Sequence, residues 1–237
     1  MYPYTDPESE LYKAFLGPHP GNRRLHKWHH YFDIYENHFK PWRGQNITLL
    51  EIGVFGGGSL DLWRNYFGPE SQIVGIDVTE SCVALADERT QIFIGDQADR
   101  KFLRDMLSQV GPLDIVIDDG GHTMNQMITS FEEIYPKVTS PGVYLVEDVH
   151  TCFFGGKYDD RADKQNFLSY AFDRVVDLHD WTRQKSEVPR FGQLPTKRVG
   201  ELECSEFCRR TGGIHFYDSV VVFDRRDRPE PWHQART

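Results

Sequence analysis

Two pairs of adjacent carboxylates close apolar runs: Asp118-Asp119 in "LDIVIDDGGHT" (113–123) and Glu147-Asp148 in "GVYLVEDVHT" (142–151). His122 follows the first pair across a Gly-Gly turn. Acids at neighbouring strand ends repel one another unless a cation lies among them. Oxygen-only donors suit a hard ion such as Mg²⁺, which keeps positions open for water or substrate. An imidazole three residues beyond such a ligand can accept a hydroxyl proton near neutral pH. The chemistry these residue types allow is therefore metal-assisted deprotonation of a hydroxyl, with His122 as base. The plainer use of such acids is to cap helices or pair with Lys and Arg, and a histidine after a glycine turn is often a polar loop residue. The position of both pairs beside a ligand-binding sheet edge favours the metal. Residue order alone does not separate Asp118, which could cap the turn, from Asp119.

A second group lies upstream. "LLEIGVFGGGS" (49–59) sets Glu51 at the end of an apolar run and glycines at the turn that follows, where the backbone can approach a ligand and a helix N-terminus offers free amides. Asp77, ending "QIVGIDV" (72–78), can accept both hydroxyl hydrogens of a ribose. The stretch departs from the dinucleotide fingerprint G-x-G-x-x-G, because Phe55 occupies the middle glycine's place. An acid at Glu51 also suits a ligand with a cationic end better than a pyrophosphate.

The elements that must position these groups alternate. Apolar β-rich runs at 47–54, 72–78, 91–96, 113–119 and 142–148 are separated by helical periodicity at 59–67, 80–89, 98–110 and 124–138, which predicts a doubly wound, mostly parallel sheet with helices on both faces. Asp96 stands either as N-cap of the 98–110 helix or beside a ligand. Upstream, "HKWHHYFDIYENHFKPW" (26–42) reads as an amphipathic helix closed by Pro41; Lys27, Trp28, His29 and His30 could close over a ligand, but aromatics at helical spacing favour core. After residue 148 the pattern loosens into a long loop (150–165), a helix (166–181) and an irregular excursion (182–200). His150 reads as the start of that loop. "GIHFYDSVVVFDRR" (213–226) predicts a terminal hairpin with its last strand antiparallel and Asp218 in its turn.

"EIGVFGGGS", "GIDV", "GDQAD" and "DIVIDDGGH", in this order and spacing, resemble the class I S-adenosylmethionine-dependent methyltransferases. "IDDGGH", "GVYLVEDVHT", "IHFYDSVVVF" and "HKWHHYFDIYE" narrow the likeness, over roughly residues 25–225, to metal-dependent sugar O-methyltransferases of the mycinamicin type, with cephalosporin-hydroxylase-like and rhamnosyl O-methyltransferase relatives. The resemblance implies an α/β, Rossmann-like fold of about seven strands. It implies Glu51, Gly53 and Gly57 around the methionine moiety, Asp77 on the ribose and Asp96 with Gln97 near adenine; Ser59 and Asp119 complete the candidate cofactor-binding set. It also implies Asp119, Glu147 and Asp148 as ligands of Mg²⁺, with His122 as general base. The expected acceptor is a small-molecule glycoside, with the 150–165 stretch and its Phe153, Phe154 and Tyr158 as a lid. The rivals are a metal-free methyltransferase using His122 alone, a nicotinamide-dependent oxidoreductase, and a non-catalytic cofactor-binding partner in a biosynthetic oxidation system.

Length and composition set the frame. The 237 residues suit a single domain (1–45 helical, 46–149 cofactor core, 150–211 substrate region, 212–226 hairpin). A net charge of −9 with scattered basic residues argues against nucleic acid. No run approaches the ~18 apolar residues of a membrane span and no segment reads as a signal peptide, so the expectation is a cytoplasmic protein. Exposed apolar loops hint at a homo-oligomer. Cys82, Cys152, Cys204 and Cys208 lack metal spacing and are expected to be free thiols, the last two on one helical turn.

Overall fold

The computed structural model describes residues 6–17, 23–183, 192–197 and 202–236. Among the described residues seven strands form one sheet: β1 (Thr48–Ile52), β2 (Gln72–Asp77), β3 (Thr90–Ile94), β4 (Leu113–Asp118), β5 (Val138–Val146), β6 (Thr211–Tyr217) and β7 (Val220–Arg225), in the order β3-β2-β1-β4-β5-β7-β6. The pairs from β3 to β5 are parallel; β7 enters antiparallel to β5, and β6 antiparallel to β7. The doubly wound sheet with a terminal hairpin is thus the architecture found.

The helices are α1 (Glu10–Leu16), α2 (Tyr31–Phe39), α3 (Gly58–Phe67), α4 (Arg100–Leu107), α5 (Met124–Ile134), α6 (Phe167–Asp177), α7 (Asp180–Arg183) and α8 (Glu206–Arg210). Strand side chains alternate between two apolar layers. Leu50, Ile52, Val116, Tyr144 and Val146 pack with α4, α5 and α6; Leu49, Ile115, Ile117, Val143 and Leu145 pack with α1, α2 and α3. Burial on both faces explains why the central strands read as continuous apolar runs.

Several boundaries differ from the sequence expectations. The 26–42 helix begins only at Tyr31, and residues 23–28 run without helix before it. The 80–89 helix is a 3-10 segment at Glu80–Leu85. α4 starts at Arg100 because Asp99, not Asp96, caps it, accepting from the amides of Lys101 (2.8 Å) and Phe102 (3.1 Å). β5 starts at Val138, four residues before the expected strand, and carries a cis Ser140-Pro141 bond. The 150–165 loop contains 3-10 turns at Val149–Phe153 and Gly156–Tyr158. Cys208 lies in α8 while Cys204 precedes it, so the two do not share the expected turn; all four cysteines are free. Of the 182–200 excursion, residues 184–191 and 198–200 lie outside the described residues, and Pro195–Lys197 form a 3-10 turn. Among the described residues no helix is long and apolar enough to cross a membrane.

Candidate active site at the strand ends

The parity of each strand decides where its terminal acid goes. Glu51 shares the face of Leu49 and is fully buried against α3, where it accepts from Ser59 Oγ (2.8 Å) and Trp63 Nε1 (3.1 Å). Burial, only partly offset by the Lys27 charge and these two donors, pushes its carboxyl up to about 7. Asp118 shares the face of Val116, is buried towards α5, and accepts from Gln97 Nε2 (2.9 Å), Ser130 Oγ and Tyr144 Oη (3.3 Å). The paired aspartates part company here: Asp118 is knit into the interior and Asp119 lines the cavity.

Gln97 has a second task. Its Oε1 accepts the amide of Gly121 at 3.0 Å, so one buried side chain ties Asp118 to the glycine turn. A Cβ on Gly120 would lie 1.8 Å from that same Oε1, which explains a glycine there. Gly53, with φ +94°, lets the β1–α3 turn pass under the carbonyl of Asp119, which a Cβ would meet at 2.0 Å. Asp77 accepts amides from Phe55 (2.8 Å) and Thr79 (2.8 Å). Burial opposes its charge, but these backbone donors prevail and hold the carboxyl below its ordinary value. Asp96 turns back to the Ala98 amide at 2.8 Å.

After the glycine turn, Thr123 caps α5 in a reciprocal capping box with Gln126, which fixes the bend at His122. His122 (φ +57°) and Asp148 (φ +53°) both adopt the left-handed region, a costly backbone state for side-chain-bearing residues that concentrates at functional sites. The two bends point His122 Nε2 at Asp119 Oδ1 and Asp148 Oδ2, 3.7 Å from each. One ligand atom each from Asp119, His122 and Asp148 lie within 4.8 Å of one another. Tyr31 Oη donates to Asp148 Oδ1 at 2.6 Å. His150, in the loop as expected, contacts Ser219 Oγ at 3.1 Å and comes to 4.0 Å from Asp148.

Glu147 is not part of that group. On the face of Val143 and Leu145, it is buried beneath it, held by Tyr35 Oη (2.6 Å) and by Lys27 Nζ (2.9 and 3.0 Å). Lys27 also donates to Asp119 Oδ2 at 2.5 Å. Burial works against its charge, but the carboxylates of Asp119, Glu147 and Glu51 outweigh it and keep the ammonium protonated well above its ordinary range. Burial and the neighbouring Asp119 charge push the Glu147 carboxyl upward.

These groups surround a cavity of about 430 Å³. Gly53, Ser59, Asp77, Gly95, Gln97, Asp119, His122, Glu147 and Asp148 form its sheet side, and Arg24 to Trp28 close it from above. Of the expected site residues, Glu51, Gly57 and Asp96 lie outside its lining. The reading of Lys27 to His30 as core is corrected at Lys27 and Trp28, which line the cavity, whereas Tyr31, Phe32, Tyr35 and Phe39 are core. Lys27, Tyr31 and Tyr35 as partners of the acids were missed. The available signal was a lysine directly ahead of an aromatic helix, where helical spacing argued only for packing.

With this sheet order, these acidic strand ends and the glycine turn, the chain has an α/β, Rossmann-like fold that matches a solved methyltransferase. It is 33% identical over 212 residues to the 8-demethyl-8-alpha-L-rhamnosyl tetracenomycin-C 2'-O-methyltransferase of Streptomyces olivaceus, covering 84% of this chain and 52% of that protein. It is 33% identical over 205 residues to the mycinamicin VI 2''-O-methyltransferase of Micromonospora griseorubida, covering 83% and 48%. The structure of MycE methyltransferase in complex with Mg, SAH and mycinamycin VI matches with a TM-score of 0.72 and 28% identity, over 97% of this chain and 56% of that one. No protein-family model matches the chain. The chain spans about half the length of the curated relatives it matches.

Proposed function

We propose that the chain transfers a methyl group from S-adenosylmethionine to a sugar hydroxyl of a natural-product glycoside, with Mg²⁺ at the strand ends. The observation that carries this reading is the convergence of Asp119, His122 and Asp148 in the same cavity as Asp77. The relatives named as O-methyltransferases of a rhamnosyl tetracenomycin and of mycinamicin VI, and the solved neighbour's complex with Mg and SAH, support it.

In this reading Asp77 receives the ribose hydroxyls, the turn from Gly53 to Ser59 receives the methionine end, and the segment of Asp96 and Gln97 borders the adenine. Glu51 and Gly57 act from beneath, holding Ser59 and the α3 N-terminus in place. Asp119 and Asp148 offer carboxylate oxygens to the metal, an all-oxygen chemistry that suits Mg²⁺; Glu147 joins them only when Lys27 leaves it. When bound, the metal would acidify and orient the acceptor hydroxyl while the sulfonium supplies the methyl group. His122 Nε2 takes the hydroxyl proton, and Asp119 and Asp148 on either side stabilise the imidazolium that results. The exposed Phe153 and Phe154, beyond Asp148, offer the sugar face an apolar cover.

One observation favours a metal-free variant of the same reaction: the Lys27 ammonium already neutralises part of the acidic cluster. Turnover of a rhamnosylated polyketide, followed by methyl transfer, separates the cases. Full activity in excess chelator selects the metal-free variant. His122→Ala should keep cofactor affinity and lose about 10²- to 10⁴-fold in rate; an unchanged rate removes the general-base assignment.

A further inference from the structure

A second constellation lies away from the cavity, where the last turn of α2 meets the terminal hairpin. His38 from α2, His215 from β6 and Asp224 from β7 place one ligand atom each within 4.8 Å of one another. Asp224 is paired across the hairpin with Gly213, which has no side chain to fill the space, so His215 two residues on leans into it. His215 Nε2 is 2.8 Å from Asp224 Oδ2, and His38 Nδ1 is 3.4 Å from Asp224 Oδ1.

The other nitrogen of His38 is engaged: Nε2 lies 3.0 Å from Tyr217 Oη. That contact leaves Nδ1 facing the Asp224 carboxylate: with a hydrogen on Nδ1 the two groups pair directly, and without it an unshared pair and a carboxylate oxygen are set to take a cation. Fixing one imidazole nitrogen by an outer partner is how metal-ligating histidines are oriented. The 3.4 Å separation exceeds the ~2.7–2.9 Å of a charge-assisted hydrogen bond. It matches the about 3.4 Å edge of a tetrahedron built on metal–ligand bonds near 2.1 Å. His215 is 41% exposed and leaves a path for an ion, while His38 is 8% exposed and anchors the inner side.

We propose that His38, His215 and Asp224 form a site for a borderline transition ion of the Zn²⁺ type, distinct from the oxygen-rich site at the strand ends. Two imidazoles and one carboxylate leave a fourth position for water, and that donor set prefers Zn²⁺ to Mg²⁺. The ion would clamp α2 to the hairpin. Because α2 also carries Tyr31 and Tyr35, the clamp would steady the donors to Asp148 and Glu147 from the far end of the same helix.

The test is a Zn²⁺ titration by calorimetry of chelator-stripped protein carrying Asp119→Ala, which disables the first site. One equivalent should bind, raising the unfolding temperature, and adding His215→Ala should weaken binding at least tenfold while circular dichroism stays unchanged. His38→Gln, which keeps a polar side chain near Tyr217, should weaken it likewise. Absence of Zn²⁺ binding in the Asp119→Ala protein, or binding indifferent to His215→Ala, overturns the proposal.

Discussion

Lys27 is the cation on which the buried acids depend, since it bonds Asp119 and Glu147 together. Removing one partner from a buried ion pair costs far more than the pair contributes net. Lys27→Met should therefore destabilise the fold by about 3–5 kcal/mol at neutral pH, read from urea unfolding; a loss within about 0.5 kcal/mol would show the acids to be neutralised otherwise. Glu51 gives a pH signature. Its folded carboxyl titrates at about 7 against an ordinary 4.5, so between those values the folded state holds the proton that the unfolded state has released. Its contribution is complete below pH 4.5 and fades as pH rises through 7. Glu51→Gln should flatten that slope, so that the urea midpoint of the native protein falls relative to the variant between pH 5 and 7.5. Little of this was legible beforehand. Glu51 could be read as an acid at a strand end, but its burial beneath Ser59 and Trp63 follows from strand parity, and Lys27 reaches the acids only through tertiary packing.

Elements were more legible than their ends. The β-α alternation and the terminal hairpin come from apolar periodicity, which survives an error of a residue or two. The site does not survive one, because a one-residue slip at the end of β4 exchanges Asp118 for Asp119 between interior and cavity. Local capping chemistry settled the other boundaries: Asp99 rather than Asp96 opens α4, and Thr123 opens α5 directly after His122. The β1–α3 turn has no slack. Gly53→Ala would set a methyl 2.0 Å from the Asp119 carbonyl in a left-handed backbone. We expect a loss of about 2–4 kcal/mol and impaired binding in the cavity; a thermal midpoint equal to the native one would show that the turn can move aside.

Over the whole molecule, α1, α2 and α3 cover one face of the sheet, α4, α5 and α6 the other, and the cavity opens where the central strands end. A ligand that binds only this folded arrangement must stabilise it. At a hundredfold excess over its dissociation constant, S-adenosylhomocysteine should add about 2.7 kcal/mol, visible as a raised unfolding temperature. Asp77→Ala should shrink that shift, besides costing the free protein the two amide bonds that Asp77 accepts, and an unaltered shift would move the ribose elsewhere. The cavity roof has a kinetic meaning of its own. It is a short non-helical stretch, residues 24–28, laid across the opening and held by Lys27 on two carboxylates, by Arg24 over the Phe55 ring and by Trp28 against His150. An occupant that leaves past this strap has to loosen those contacts, so its dwell time would lengthen with the grip of the strap as well as with the occupant's own contacts.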